Sequence, residues 1–248
     1  MALITLLTDF GLADSYVAEV KAVLLSRAPP PGATLVDISH QVQPGDLRAA
    51  QYLLARAWHR FPAGTVHLAV VDPGVGTARR ALAAEAAGHR FVAPDNGLLS
   101  FLPAGARFVS LPIPPDAAPT FHARDVFAPA AAALAGGARL EALGAPITDA
   151  YRSPVPSPRG DGVGVVGEVL YVDRFGTLIS NIPGGQVEPG VRIRVAGTDV
   201  GGLRRTFGDV ERGTLVAFVG SGGTVEIAVR DGSAARLLGV GVGAEVRA

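Results

Sequence analysis

The sequence predicts an α/β domain with a parallel sheet over its first 151 residues, followed by a smaller all-β domain. Three observations carry this. In the first half, apolar runs that end in an acid alternate with stretches of helical spacing; at 152–164 three prolines and three glycines erase all periodicity; beyond that, short β-branched runs follow one another between glycine turns. The resulting division is 1–151, a linker at 152–164, and 165–248.

The first strand is read at 3–8 and runs into Asp9-Phe10-Gly11. A helix over 14–27 places Val17, Val20 and Leu24 on one face, and a second over 46–61 does the same with Leu47, Ala50, Leu54 and Ala57. Strands at 34–37 and 66–71 complete a β-α-β-α-β order, whose right-handed crossovers require parallel pairing. Shorter runs at 90–93 and 107–111 extend the sheet, and a third helix over 124–135 stops at Gly136-Gly137. In the second half, runs at 165–172, 191–195, 215–219 and 224–229 have no amphipathic helix between them, which predicts a small barrel or sandwich.

Composition narrows the function. A hydrophobic content of 48 % over 248 residues is ample for a packed core. Lys+Arg and Asp+Glu are both 22, so the chain shows neither a nucleic-acid footprint nor an attraction to acidic lipid, and a small or neutral partner fits better. The absence of cysteine excludes disulfides, thiolate metal sites and a cysteine nucleophile. The N-terminus has no basic region before its first strand and no apolar run is long enough for a membrane span, so a cytoplasmic protein is expected. Lys21 is the one lysine, and Asn96 and Asn181 are the two asparagines. Both asparagines stand in compact contexts, Asp95-Asn96-Gly97 and Ser180-Asn181-Ile182, where an amide is either a turn former or a chemically needed group.

Acids recur where strands give way to loops, the place where open α/β sheets bind ligands. Asp9 there is suited to a ribose diol, or is a turn aspartate. Asp37-Ile38-Ser39-His40 reads as a capped turn with a hydrogen-bonded histidine. Val71-Asp72-Pro73-Gly74-Val75-Gly76-Thr77-Ala78-Arg79 commits an acid and a guanidinium to one glycine-rich loop; a mere surface salt bridge would not need that loop, and without a lysine it is no P-loop. Phe121-His122-Ala123-Arg124-Asp125 sets an imidazole just before a helix, where neutral imidazole or a bound anion is favoured. His59, His67 and His89 have no supporting context. In the second half, the glycine turns at 173–177 and 220–224 read as hairpins.

Taken in order, Thr8-Asp9-Phe10-Gly11, Asp37-Ile38-Ser39-His40, Val71-Asp72-Pro73-Gly74-Val75-Gly76-Thr77, Pro94-Asp95-Asn96-Gly97, Phe121-His122-Ala123-Arg124-Asp125 and Asp173-Arg174-Phe175-Gly176 resemble the S-adenosyl-L-methionine (SAM) hydroxide adenosyltransferase family, which is similar to the SAM-dependent chlorinases and fluorinases. The resemblance spans nearly the whole chain. It implies a Rossmann-like N-terminal domain with a parallel sheet, a C-terminal β-barrel, and a homotrimer whose sites lie between the N-domain of one subunit and the C-domain of the next. It also implies SAM as substrate, no cofactor or metal, and an Asp, Arg and His that organise water, falling on Asp72, Arg79 and His122. Asp9 would hold the ribose hydroxyls and Asp14 or Tyr16 would face methionine. Asp173, Asn181, Ser221 and Glu226 would contribute from the neighbouring C-domain, with Phe207 stacking on adenine. The family has Asn where Thr177 stands and Thr where Ser180 stands. Its halogenase branch typically carries an aromatic residue in place of Asp72, and the fluorinase a serine in place of Ala123, so the resemblance favours hydrolysis.

The implied chemistry is sound. A sulfonium leaves without protonation, so the enzyme must make and aim the nucleophile at C5′; Arg79 favours hydroxide character while Asp72 or His122 takes the proton, and the residues alone leave that choice open. Two other readings stand beside it. Asp9, Asp37, Asp72 and His122 at strand ends also suit a metal-dependent phosphohydrolase, although Arg79 would compete with the cation and no close ligand pair occurs. A non-catalytic SAM or nucleoside-binding module is the other.

Overall fold

In the computed structural model, which describes residues 2–27 and 32–248, Ala2–Thr8 (β1) is buried over its last five residues. A strand covered on both faces reads as continuous apolar sequence, as this one does. It pairs in parallel with Ala33–Ser39 (β2) on one side and Val66–Val70 (β3) on the other. The crossovers are Tyr16–Arg27 (α1), which buries Val17, Val20 and Leu24, and Leu47–Ala57 (α2), which buries Ala50 and Leu54 and is capped by the Asp46 carboxylate on the Ala49 N–H. The helix expected over 46–61 tightens after Ala57 into a 3₁₀ turn at Trp58–Arg60.

The parallel pairing expected from the β-α-β-α-β order holds for β1, β2 and β3, and the sheet then continues with antiparallel strands on its far side. Ala81–Ala86 (β4) and His89–Pro94 (β5) form an antiparallel hairpin, while β5 itself pairs in parallel with β3. The two residues joining them, Ala87 and Gly88, both have positive φ (49° and 77°), as a type I′ turn requires, and a two-residue link can join only antiparallel strands. Arg107–Leu111 (β6) and Ala145–Ile147 (β7) follow antiparallel, giving the order β2-β1-β3-β5-β4-β6-β7. The helix expected at 124–135 begins as a π turn at Ala123–Phe127 and continues as Ala128–Ala135 (α3), closed by Gly136 and by Gly137 at φ +92°.

The chain divides into two compact units, Met1–Pro154 and Val155–Ala248. In the second, Arg159–Gly160 (β8), within the stretch read as linker, pairs with Val165–Val172 (β9). The remaining strands are Leu178–Pro183 (β10), Arg192–Val195 (β11), Thr198–Arg204 (β12), Leu215–Val219 (β13), Thr224–Val229 (β14) and Glu245–Arg247 (β15). The order β10-β14-β13-β12-β11-β15-β9 returns to β10, so the sheet closes as a seven-stranded barrel around Val169, Leu178, Ile193, Ile227 and Val246. Closure removes the exposed edges that an open sheet would leave. After the last of the predicted runs, at 224–229, a five-residue helix, Ala234–Leu238 (α4), packs on the barrel, capped by Ser233.

Candidate active site

Where β3 ends, the chain turns sharply and comes back on itself. Val75 N–H donates to the Asp72 carbonyl at 3.2 Å, and Thr77 donates to the Gly74 carbonyl through both its N–H (3.2 Å) and its hydroxyl (2.7 Å). Gly76 lies at φ +76°, and a Cβ there would stand 2.6 Å from the Pro119 carbonyl oxygen, so only glycine lets this loop lie against the 114–121 segment. The fold-back delivers Arg79 to Asp72. Arg79 Nε donates to Asp72 Oδ1 at 2.9 Å and Nη2 pairs with Oδ2, a two-pronged ion pair whose side chains are only 10 % and 5 % exposed.

The same Nη2 meets His122 Nδ1 at 3.1 Å, and the guanidinium lies 5.2 Å from the centre of the Phe127 ring. Residues five apart do not share a face of an α-helix, yet His122 and Phe127 flank one guanidinium. The π turn explains this, since i→i+5 bonding brings such residues into register; Ala128 N–H indeed donates to the Ala123 carbonyl. Pro129, which has no N–H, follows where the ladder changes pitch. A guanidinium has donors alone, so His122 Nδ1 accepts and the neutral ring carries its proton on Nε2. Burial first, and then the Arg79 charge, hold His122 below the ordinary imidazole range, with Asp72 and Asp125 opposing.

Asp72, His122 and Asp9 line one pocket of about 370 Å³, together with Phe10, Gly45, Phe121 and Ala123. Asp9 Oδ2 accepts the Gly45 N–H at 2.8 Å, which ties the loop after β1 to the start of α2. Behind it, Thr8 Oγ1 lies 2.8 Å from His40 Nδ1, His40 Nε2 lies 3.1 Å from Asp37, and Asp37 pairs with Lys21 at 2.7 Å. The Asp37 and His40 motif thus braces the loop that carries Asp9, with its histidine buried. Among the described residues no group of three or more His, Asp or Glu is placed to hold a metal ion.

In the first unit, two other sequence-predicted residues lie outside the lining of this pocket. Asp14 is exposed and does not line it. Tyr16 is half exposed and packs edge-on against Phe10 and Phe121, at 6.2 and 5.3 Å between ring centres. In the second unit, Asp173 Oδ1 accepts the N–H groups of Phe175 and Thr177 at 2.9 and 2.8 Å, so it shapes its own hairpin and holds Phe175 out at 78 % exposure. Thr177 is buried. Asn181 spends its amide within the barrel, accepting from Glu168 N–H at 2.8 Å and donating to the Pro156 carbonyl at 2.9 Å. Phe207 leans on Phe218 at 4.6 Å, and Glu226 lies beneath Gly220, where any Cβ would meet its carboxylate. Ser221 is on the exposed hairpin tip between β13 and β14. The pocket aromatics Phe10 and Phe121 belong to motifs recognisable in the sequence but gain their place on the wall only from the fold, whereas Gly45 carries no local signal at all.

Residues 4–144 match the SAM hydroxide adenosyltransferase N-terminal domain and residues 167–247 the C-terminal domain of the same family. The chain is 47 % identical to the (R)-S-adenosyl-L-methionine hydrolase of Thermus thermophilus, covering 97 % of each chain. It is 42 % identical to the protein of that name from Salinispora tropica, covering 98 % of this chain and 96 % of the relative. The crystal structure of an uncharacterized conserved protein from Thermotoga maritima superposes with a TM-score of 0.89 at 36 % identity, covering 98 % of each chain.

Proposed function

Since the chain belongs to the SAM hydroxide adenosyltransferase family, we propose that it hydrolyses S-adenosyl-L-methionine to adenosine and L-methionine. The observation that carries this reading is the convergence of Asp72, Arg79 and His122, with Asp72 and His122 on the wall of a pocket large enough for a small ligand. Water attacks C5′ of the ribose, the C5′–S bond breaks with its electron pair staying on sulfur, and one proton is released. The sulfonium needs no general acid, so the residues serve the water. His122 has given its one acceptor to Arg79 and keeps Nε2–H to donate; each Asp72 oxygen takes one hydrogen bond from Arg79 and retains a further acceptor position. We therefore assign Asp72 as proton acceptor and His122 as the group that aims the water oxygen. Asp9, one of whose oxygens is held by Gly45, offers the other to the ribose hydroxyls.

A carboxylate at position 72 repels halide, and the buried Ala123 has no hydroxyl to offer one, which supports hydrolysis over halogenation. The Arg79 guanidinium paired with Asp72 would compete with a cation there, and this reading includes no metal and no cofactor. The relatives' names lead us to propose the (R)-sulfonium epimer as the preferred substrate. We further propose a cytoplasmic homotrimer, in which the second unit of a neighbouring subunit completes each site with Asp173, Thr177, Asn181, Phe207, Ser221 and Glu226. No helix among the described residues is long and apolar enough to cross a membrane.

The test is product analysis in ¹⁸O water with the two SAM epimers kept separate. Methionine release with ¹⁸O in the adenosine 5′-hydroxyl, undiminished by EDTA, is expected. Unlabelled adenosine, 5′-chloro-5′-deoxyadenosine as main product in chloride, or loss of activity in EDTA would overturn the proposal.

A further inference from the structure

Asn96 forms with Gly97 a turn dipeptide, and turn chemistry explains the asparagine only by half. Its Oδ1 accepts the Leu98 N–H at 3.3 Å, and Gly97 follows at φ +92°, which is ordinary Asx-turn geometry. Any short side chain with an oxygen serves that purpose. The amide nitrogen does something a turn does not require: it donates at 2.8 Å to the carbonyl of Val71, twenty-five residues earlier. The β3–β5 ladder pairs Val66, His67 and Leu68 with Arg90, Phe91 and Val92, so the fully buried Val71 lies past its last paired residue. That carbonyl belongs to the peptide unit whose N–H is that of Asp72. Fixing it fixes the direction in which the Asp72 side chain leaves the backbone.

The neighbouring residue, Asp95, fastens Arg80, the residue next to the other half of the ion pair. Asp95 grips Arg80 from Oδ2, at 2.8 Å to Nε, and takes the Tyr151 N–H on Oδ1 at 2.7 Å. The Arg80 carbonyl accepts both the Asp95 N–H (2.9 Å) and Arg79 Nη1 (3.1 Å). Two consecutive residues thus fasten the backbone on either side of the loop that joins Asp72 to Arg79.

We propose that Asn96 is a positioning residue for the reaction, setting through the Val71–Asp72 peptide the angle at which Asp72 meets Arg79 and the attacking water. This rests on the hydrolase reading above. A misplacement on the order of 1 Å at a reacting group costs about 100-fold in rate. Asn96→Ser and Asn96→Asp both keep a turn-forming oxygen; the serine is too short to reach Val71 and the carboxylate has no N–H to give. Both variants should keep a Tm near wild type and a KM for SAM within about threefold, while kcat falls about 10- to 100-fold. The imidazole ¹⁵N signals of His122, which reads the ion pair through Arg79, should shift in both. Wild-type kcat in either folded variant, a loss confined to the charged Asn96→Asp, or a loss in KM alone would overturn the proposal. If wild-type protein releases no methionine, the hydrolase reading falls by itself; the positioning claim is then judged on the spectrum, and an unmoved His122 signal refutes it.

Discussion

An arginine that holds a carboxylate by two bonds and an imidazole by a third leaves each of them one role. Arg79 orients Asp72 through both of its oxygens, and it occupies the only lone pair that a neutral His122 presents toward it. Changing Asp72→Asn or His122→Ala should therefore lower turnover by about 10²–10⁴, the range for acid–base groups, while calorimetry shows SAM affinity little changed. Asp9→Ala should do the reverse and weaken binding first, because that carboxylate faces the pocket with one oxygen already committed to Gly45. Affinity lost in His122→Ala but intact in Asp9→Ala would exchange these roles.

At the scale of elements, the parallel sheet carries a hydrogen-bonded line across three strands. Thr5 on β1 lies 2.8 Å from His67 Nδ1 on β3, and His67 Nε2 lies 3.1 Å from His89 Nδ1 on β5. His67 is wholly buried, and desolvation, with the His89 charge adding to it, pushes it down to about 3. Its unfolded counterpart titrates near 6.5. Between those values the unfolded chain binds the proton and the folded chain does not, so stability is fully present above 6.5 and falls as the pH drops toward 3. Urea unfolding from pH 7 to 4 should show a slope of at least about 1.4 kcal/mol per pH unit below pH 6, and His67→Gln should remove about that much of it. An unchanged slope in the variant would mean that other groups carry the acid sensitivity.

At the scale of the whole molecule, the groups assigned to chemistry all lie in Met1–Pro154, while several assigned to substrate recognition lie in Val155–Ala248. In the proposed ring each site draws these from different subunits. Two inactive variants, Asp72→Asn and the double change Asn181→Ala with Ser221→Ala, should complement when unfolded and refolded together. A site is intact only where its first unit comes from the double variant and its second from Asp72→Asn, so random assembly restores roughly 1/2 × 1/2, about a quarter, of wild-type activity. No recovery in demonstrably mixed oligomers would place each site within one chain.

The sequence by itself determined the strands and helices whose burial repeats along the chain. The spacing of Val17, Val20 and Leu24 marks α1, the continuous apolar run marks β1, and Gly136-Gly137 marks the end of α3. It also determined the motifs, and through them the family, and it singled out Asp72 and His122, the two residues that the fold brings to Arg79. It did not reveal β4, because Ala-Leu-Ala-Ala-Glu-Ala has little preference for a strand; pairing on both sides, with β5 and β6, makes it one. Likewise β10, β12 and β15 exist because the barrel must close. The π turn sets His122 and Phe127 about one guanidinium, and nothing in the local spacing of 122–129 distinguishes it from an ordinary helix. Why Asn96 is an asparagine is visible only once Val71 lies beside it. Periodicity and propensity are local and can be read along the chain, whereas these contacts join residues 25, 43 or 62 positions apart, and only the folded structure brings them within bonding distance.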